Sequence, residues 1–232
     1  MLKRIIIWTI VISALLWGLE FGMPLVLSKI VAQSMSVLTG NQVTAKLEKH
    51  PALLMLGGEF DRVTLDADDA KISKLSVHKM HIVMDNVTLD RQALWQDKKA
   101  AVKSVGRISC MVAITQEDLA NYLDIAVKGV KGAKVEITPD KVTVNSQFTL
   151  WPVAALDVKL DGKIIADKQK AKFIPNNFSV NNHGVSPGNI LGGSMLAEIP
   201  ILDSSMLPFG LAIRSIEMQA GQIVIRGDNG LK

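Results

Sequence analysis

The residues able to do bond-making chemistry are few, and their spacing does not assemble them. His78 and His81 lie three positions apart in a stretch that reads as strand. On a strand that spacing points them to opposite faces, so they cannot share one metal ion without a bulge. The other histidines are scattered, and Cys110 is the only cysteine, which leaves no evident nucleophile–base pair and no internal disulfide. The chain has no phosphate-binding loop, dinucleotide fingerprint, Gly-x-Ser-x-Gly elbow or metal-spaced Cys/His set. Its carboxylates fall mostly in turns or on polar strand faces. The expectation is a protein that is not an enzyme and needs no cofactor or metal. Two apolar connections stand out instead. Leu53-Leu54-Met55-Leu56 follows Pro51, and Ile199-Pro200-Ile201-Leu202 and Met206-Leu207-Pro208-Phe209 form a proline-broken pair. The first either plugs one end of a core or forms a tip that touches lipid. Lys168, Lys170 and Lys172 share one face of a strand. They either protect a sheet edge from aggregation or attract anionic headgroups.

The element that sets the chain's context is Ile5–Leu27. Lys3 and Arg4 precede a run, Ile5–Leu19, without charge. A basic flank before an apolar run marks a secretory signal or a signal anchor. The positive-inside bias keeps the N-terminus in the cytoplasm and sends the remainder across the membrane. No small-x-small cleavage site lies near Leu19. Residues 1–27 are therefore expected to be an uncleaved anchor, with a cleaved signal as the alternative, and residues 28–232 a single extracytoplasmic domain. The expected location is the cell membrane, single-pass, or exported if the leader is removed.

Composition fits that context. Lys and Arg total 26 against 22 for Asp and Glu, and without Lys3 and Arg4 the counts are nearly equal. Nothing in that balance calls for nucleic acid. Aromatics are only 5% while methionine occurs 10 times, so the apolar surface is aliphatic and adaptable.

The remaining elements follow in order. Ser28–Leu38 reads as an amphipathic helix ended by Gly40, packed on the domain or lying along the membrane. Gln42–Lys49 alternates with Val43, Ala45 and Leu47 on one side, a half-buried strand that His50-Pro51 stops. Pro51–Gly58 reads as one short helical turn or an apolar loop. Glu59–Asp66, Ile72–Leu89 and Val105–Ile114 read as strands, and Arg91–Ala101 as a loop or short helix. Thr115 caps a helix with Asp118 in a near capping box. A meander follows: Thr138-Pro139-Asp140-Lys141 makes a type I turn, Asp161-Gly162 a tight hairpin, and Pro175-Asn176-Asn177 another turn. Pro187–Ala197 reads as a short helix, and Leu211–Met218 pairs with Gln222–Arg226 around Ala220-Gly221.

The order of these segments resembles the LmeA-like phospholipid-binding family of bacterial envelope proteins. The pieces that carry the resemblance are the leader and its helix, then His50-Pro51-Ala52-Leu53-Leu54-Met55-Leu56-Gly57-Gly58-Glu59-Phe60-Asp61-Arg62-Val63. Ile114-Thr115-Gln116-Glu117-Asp118-Leu119-Ala120-Asn121-Tyr122-Leu123 and Val135-Glu136-Ile137-Thr138-Pro139-Asp140-Lys141-Val142 continue it, and Leu207-Pro208-Phe209-Gly210-Leu211 with the last hairpin closes it. The resemblance implies an α+β, TULIP-like fold, a strongly curved antiparallel sheet wrapped on a long helix, here preceded by an N-terminal membrane helix. It also implies an elongated apolar groove holding phospholipid acyl chains; the leader adds the cytoplasmic membrane as the second expected partner. On that reading the lipid contacts are Leu53, Leu54, Met55 and Leu56 at one connection, and Met195, Leu196, Ile199, Ile201, Leu202, Met206, Leu207 and Phe209 at the other. The alternative is a non-catalytic structural module of the envelope, with a filled core and a protein partner bound at a sheet edge.

Overall fold

Alternation along Val43–Glu48 buries Val43, Ala45 and Leu47 and exposes Thr44 and Lys46, so the expected half-buried strand forms. The computed structural model describes residues 2–150, 154–167, 169–180, 183–184, 198–204 and 211–231; side chains are not described at 2–12, 14–16, 19, 38, 149–150, 154–155 and 183–184. The fold is α+β with mostly antiparallel strands, and one sheet curls into a half-barrel. The chain divides into two compact units, Met1–Ala67 with Ile82–Ile108, and Asp68–His81 with Ser109–Lys232.

The first unit starts with helix α1 (Leu2–Thr39), which continues through Pro24 and across the boundary expected at residue 27. Gly40, at φ 73°, ends it in the left-handed conformation that a side chain would resist. Leu27 and Val31 are buried where α1 packs on β1 (Val43–Glu48) and on the 3-10 helix Ala52–Gly57. β1 pairs antiparallel with β2 (Glu59–Ile72), Val43 opposite Ala67 and Leu47 opposite Val63. β3 (Leu75–Leu89) carries β4 (Val102–Val105) on its edge. Between them lies the short α2 (Arg91–Trp95), whose first turn is capped by the Asp90 carboxylate accepting from Ala93 N–H at 2.9 Å. Among the described residues no helix is long and apolar enough to cross a membrane. Most side chains of the Ile5–Leu19 run lie outside those described.

The second unit holds the tip of the β2–β3 hairpin, which turns at Ser73-Lys74, followed in hydrogen-bonded order by β5 (Ile108–Thr115), β13 (Gln222–Asp228) and β12 (Ala212–Gln219). A second sheet runs β10 (His183–Gly184), β9 (Lys170–Val180), β8 (Ala154–Asp167), β7 (Val142–Leu150), β6 (Val130–Ile137), with β11 (Ile199–Asp203) added to β9. Helix α3 (Gln116–Ala126) packs on β6 through Leu119 and Leu123. Its capping box is complete: Asp118 N–H donates to Thr115 Oγ1 at 3.2 Å and Thr115 N–H donates to Asp118 Oδ2 at 2.9 Å. The expected turn at 138–141 is present, Thr138 N–H donating to the Lys141 carbonyl at 2.9 Å.

Several boundaries differ from expectation. Asp161-Gly162 is not a hairpin; β8 runs straight through it, with a register shift there opposite Pro175. Pro175-Asn176-Asn177 is likewise inside β9 rather than a turn. The pair marks a β-bulge, where glycine admits the neighbouring strand and proline needs no ladder donor. β2 continues past Asp66 to Ile72; Asp69, at φ 52°, interrupts its alternation, and Ala67 and Ala70 are both buried although they lie three positions apart. Ile199–Leu202 is strand rather than connection, and Val105–Ile114 is two strands, broken around Gly106. The helix expected over 187–197 lies outside the described residues.

Candidate functional site

Within the second unit, β11 lies antiparallel on β9, with a register shift between Pro200 and Leu202. The shift leaves both Ile201 and Leu202 buried, although neighbours on a regular strand face opposite ways. Beside them opens a cleft of about 420 Å³, lined by Ile72, Ser73, Lys74 and Leu75 of the β2–β3 turn, Tyr122 of α3, Lys170 of β9 and Pro200–Asp203 of β11. That volume falls in the range of about 300–1,000 Å³ typical of small-ligand sites. The Tyr122 hydroxyl donates to the Pro200 carbonyl at 2.6 Å and so ties α3 to β11. Burial pushes the Tyr122 phenol above its ordinary pKa, so it stays a neutral donor. Lys170 pairs with Asp203 at 3.3 Å, while the exposed Lys74 stands at the hairpin turn. The lining combines aliphatic side chains, one phenol and two lysines, of which Lys170 is paired with the Asp203 carboxylate and Lys74 is exposed. It suits a molecule with an apolar chain and an anionic end, and it contains no nucleophile–base pair. Among the described residues no group of three acidic, histidine or cysteine side chains could hold a metal ion.

Within the first unit, the 3-10 helix splits the Leu53–Leu56 stretch. Met55 is buried with Ala52, whereas Leu53, Leu54 and Leu56 are 41%, 51% and 40% exposed. The turn is fixed at several points. Ala52 N–H donates to Glu20 Oε2 of α1 at 3.0 Å, and Leu89 N–H donates to the Gly58 carbonyl at 2.7 Å. Gly58, at φ 83°, would place a Cβ 2.7 Å from the Leu89 carbonyl oxygen, so only glycine fits.

The residues expected to bind lipid are thus found in several places. Ile201 and Leu202 line the second unit's cleft, and Ile199 shares their strand. Leu53, Leu54 and Leu56 form an exposed tip, with Met55 beneath it. Met195, Leu196, Met206, Leu207 and Phe209 lie outside the described residues, as does Lys168. Of the other two lysines, Lys170 is at the cleft and Lys172 is held between Asp167 and Glu198. Sequence reading missed Ile72, Lys74, Leu75 and Tyr122. The first three sit at a hairpin turn that no glycine or proline announces, and Tyr122 is hidden within the apolar stripe of a helix.

Comparison with known protein families matches residues 18–228 to the LmeA-like phospholipid-binding family. The chain belongs to that family. This is a lipid-binding family and not a known enzyme family, and membership suggests phospholipid binding. Neither the curated proteins nor the solved structures contain a match.

Proposed function

We propose that this chain is an extracytoplasmic phospholipid-binding protein, anchored in the cytoplasmic membrane through the uncharged Ile5–Leu19 run at the start of α1, that carries lipid or presents it to an envelope enzyme. Membership of a phospholipid-binding family over residues 18–228 is the observation that carries this reading. The aliphatic cleft with Lys74 and Lys170 supports it. Acyl chains bind there through the hydrophobic effect, at about 0.8 kcal/mol per buried methylene, and the lysines meet the phosphate. No bond is made or broken, which accounts for a sequence rich in aliphatics and poor in motifs. A TULIP-like arrangement, a curved sheet on a long helix, is the finer reading of the fold; the curled sheet favours it.

Native mass spectrometry of the full chain, released from detergent after extraction from membranes of its host, tests the reading. The expected spectrum shows a discrete adduct that fragments as a phospholipid. Lys74→Glu is expected to lower its retention about fivefold, as losing an exposed charge contact of about 1 kcal/mol would. A bare chain that stays bare after incubation with phospholipid vesicles would contradict the reading and favour a structural module with a filled core.

A further inference from the structure

The tip of the first unit is built to face outward. Exposed leucines usually sit singly, but Leu53, Leu54 and Leu56 are presented together by a turn of only six residues. Its backbone is held by Glu20 on one side and Leu89 on the other, and Met55 is buried beneath. The apolar surface extends beyond the turn. Trp95 Nε1–H donates to the Leu56 carbonyl at 3.2 Å, which satisfies the indole's only donor and leaves its ring beside the leucines. Trp17 and Phe21 flank Glu20 in sequence on α1, are 70% and 66% exposed, and meet at a 47° tilt with ring centroids 5.9 Å apart. Charge of both signs lies nearby in the chain: Lys98 Nζ is 5.8 Å from the Trp95 ring centroid and Arg91 and Lys99 are exposed, but so are Glu59 and Asp97.

Tryptophan and leucine backed by lysine are the composition of a surface that rests in the headgroup zone of a bilayer. A protein partner would equally cover leucines. One observation selects the bilayer: Glu20, which holds the turn, and the exposed Trp17 and Phe21 lie on α1 where the uncharged Ile5–Leu19 run ends. We propose that the Ala52–Gly57 turn, with Trp95 and the Trp17–Phe21 pair, docks the first unit on the surface of a phospholipid bilayer, with Leu53, Leu54 and Leu56 below the headgroups. This takes from the proposed function only the presence of a bilayer. The leucine tip is then a bilayer contact and not part of the wall around a bound lipid.

The test places a nitroxide on the tip of the full chain. Leu54→Cys in a Cys110→Ser background is labelled and reconstituted into vesicles of phosphatidylcholine and phosphatidylglycerol. The same label at Lys131→Cys, an exposed β6 position, serves as control. The expected result is that the label at 54 collides with oxygen and is shielded from a water-soluble nickel chelate, whereas the control is open to the chelate. Adding Leu53→Asp and Leu56→Asp is expected to abolish the shielding. A label at 54 as open to the chelate as the control would overturn the proposal. So would shielding from both agents that grows with protein density, since a second copy would then cover the tip. Should the Asp variants fail to fold, the depth measurement on the single-label chain still decides. Native mass spectrometry of the labelled chain reads bound lipid separately, so a docked tip with no phospholipid adduct would refute the lipid-carrying reading and spare this one.

Discussion

Gly162 shows how much one residue can fix. A Cβ there would run into the Ile174 carbonyl oxygen and lie 2.7 Å from the Phe173 ring. The backbone cannot retreat cheaply, because β8 and β9 are paired on both sides of the bulge. Gly162→Ala is therefore expected to cost about 1–3 kcal/mol, the range for overpacking a close-packed site, read as a lower urea midpoint. One position earlier, Asp161 accepts from the buried Thr143 hydroxyl at 2.6 Å and lies 3.5 Å from Lys141. The Thr143 hydrogen bond, and then the Lys141 charge, hold its carboxyl below the ordinary carboxylate range against the opposing effect of burial. A carboxyl with a depressed folded pKa binds protons more weakly in the native state than in the unfolded one. Its stabilisation is full above the unfolded value of about 3.9 and is lost as pH falls through the lower folded value. Thr143→Val is expected to cost about 1–2 kcal/mol at neutral pH and to flatten the fall in stability at acid pH. Urea unfolding at a series of pH values measures both. Cys110 behaves oppositely: burial pushes its thiol up to about 11, which makes it a poor nucleophile at neutral pH.

At the level of elements, the sequence was readable wherever one local rule was unopposed. The alternation of Val43, Ala45 and Leu47, the Thr115–Asp118 box and the Pro139-Asp140 turn each depend on neighbours a few residues away, and each formed as expected. Asp161-Gly162 and Pro175 carried the same local signals, yet the long β8–β9 pairing turned them into a bulge. Turn chemistry identifies where the backbone departs from regular strand, but only the partner strand decides whether it reverses or bends. Most of the second unit's cleft was unreadable for a related reason. Lys74 and Tyr122 are far apart in sequence, and only folding brings them to the wall that holds Ile201 and Leu202. The helix cap provides a local test. Thr115→Ala removes the acceptor for Asp118 N–H and is expected to lower stability by about 1 kcal/mol, while Thr115→Ser should retain most of it. Thermal unfolding of the two variants side by side distinguishes loss of the cap from loss of bulk.

For the molecule as a whole, the central claim is that it holds phospholipid in an aliphatic cleft of its own, apart from any contact its surface makes with a membrane. The distinction matters because the uncharged Ile5–Leu19 run and an exposed leucine tip would bring any such chain near lipid. Photo-crosslinking separates the two. The full chain is reconstituted in vesicles that contain a phospholipid with a diazirine on its acyl chain, irradiated, digested and mapped by mass spectrometry. The proposed function predicts crosslinks at Ile72, Leu75, Ile201 and Leu202, competed away by excess unlabelled phospholipid. Crosslinks confined to α1 and the Leu53–Leu56 tip, with none in the cleft, would contradict it.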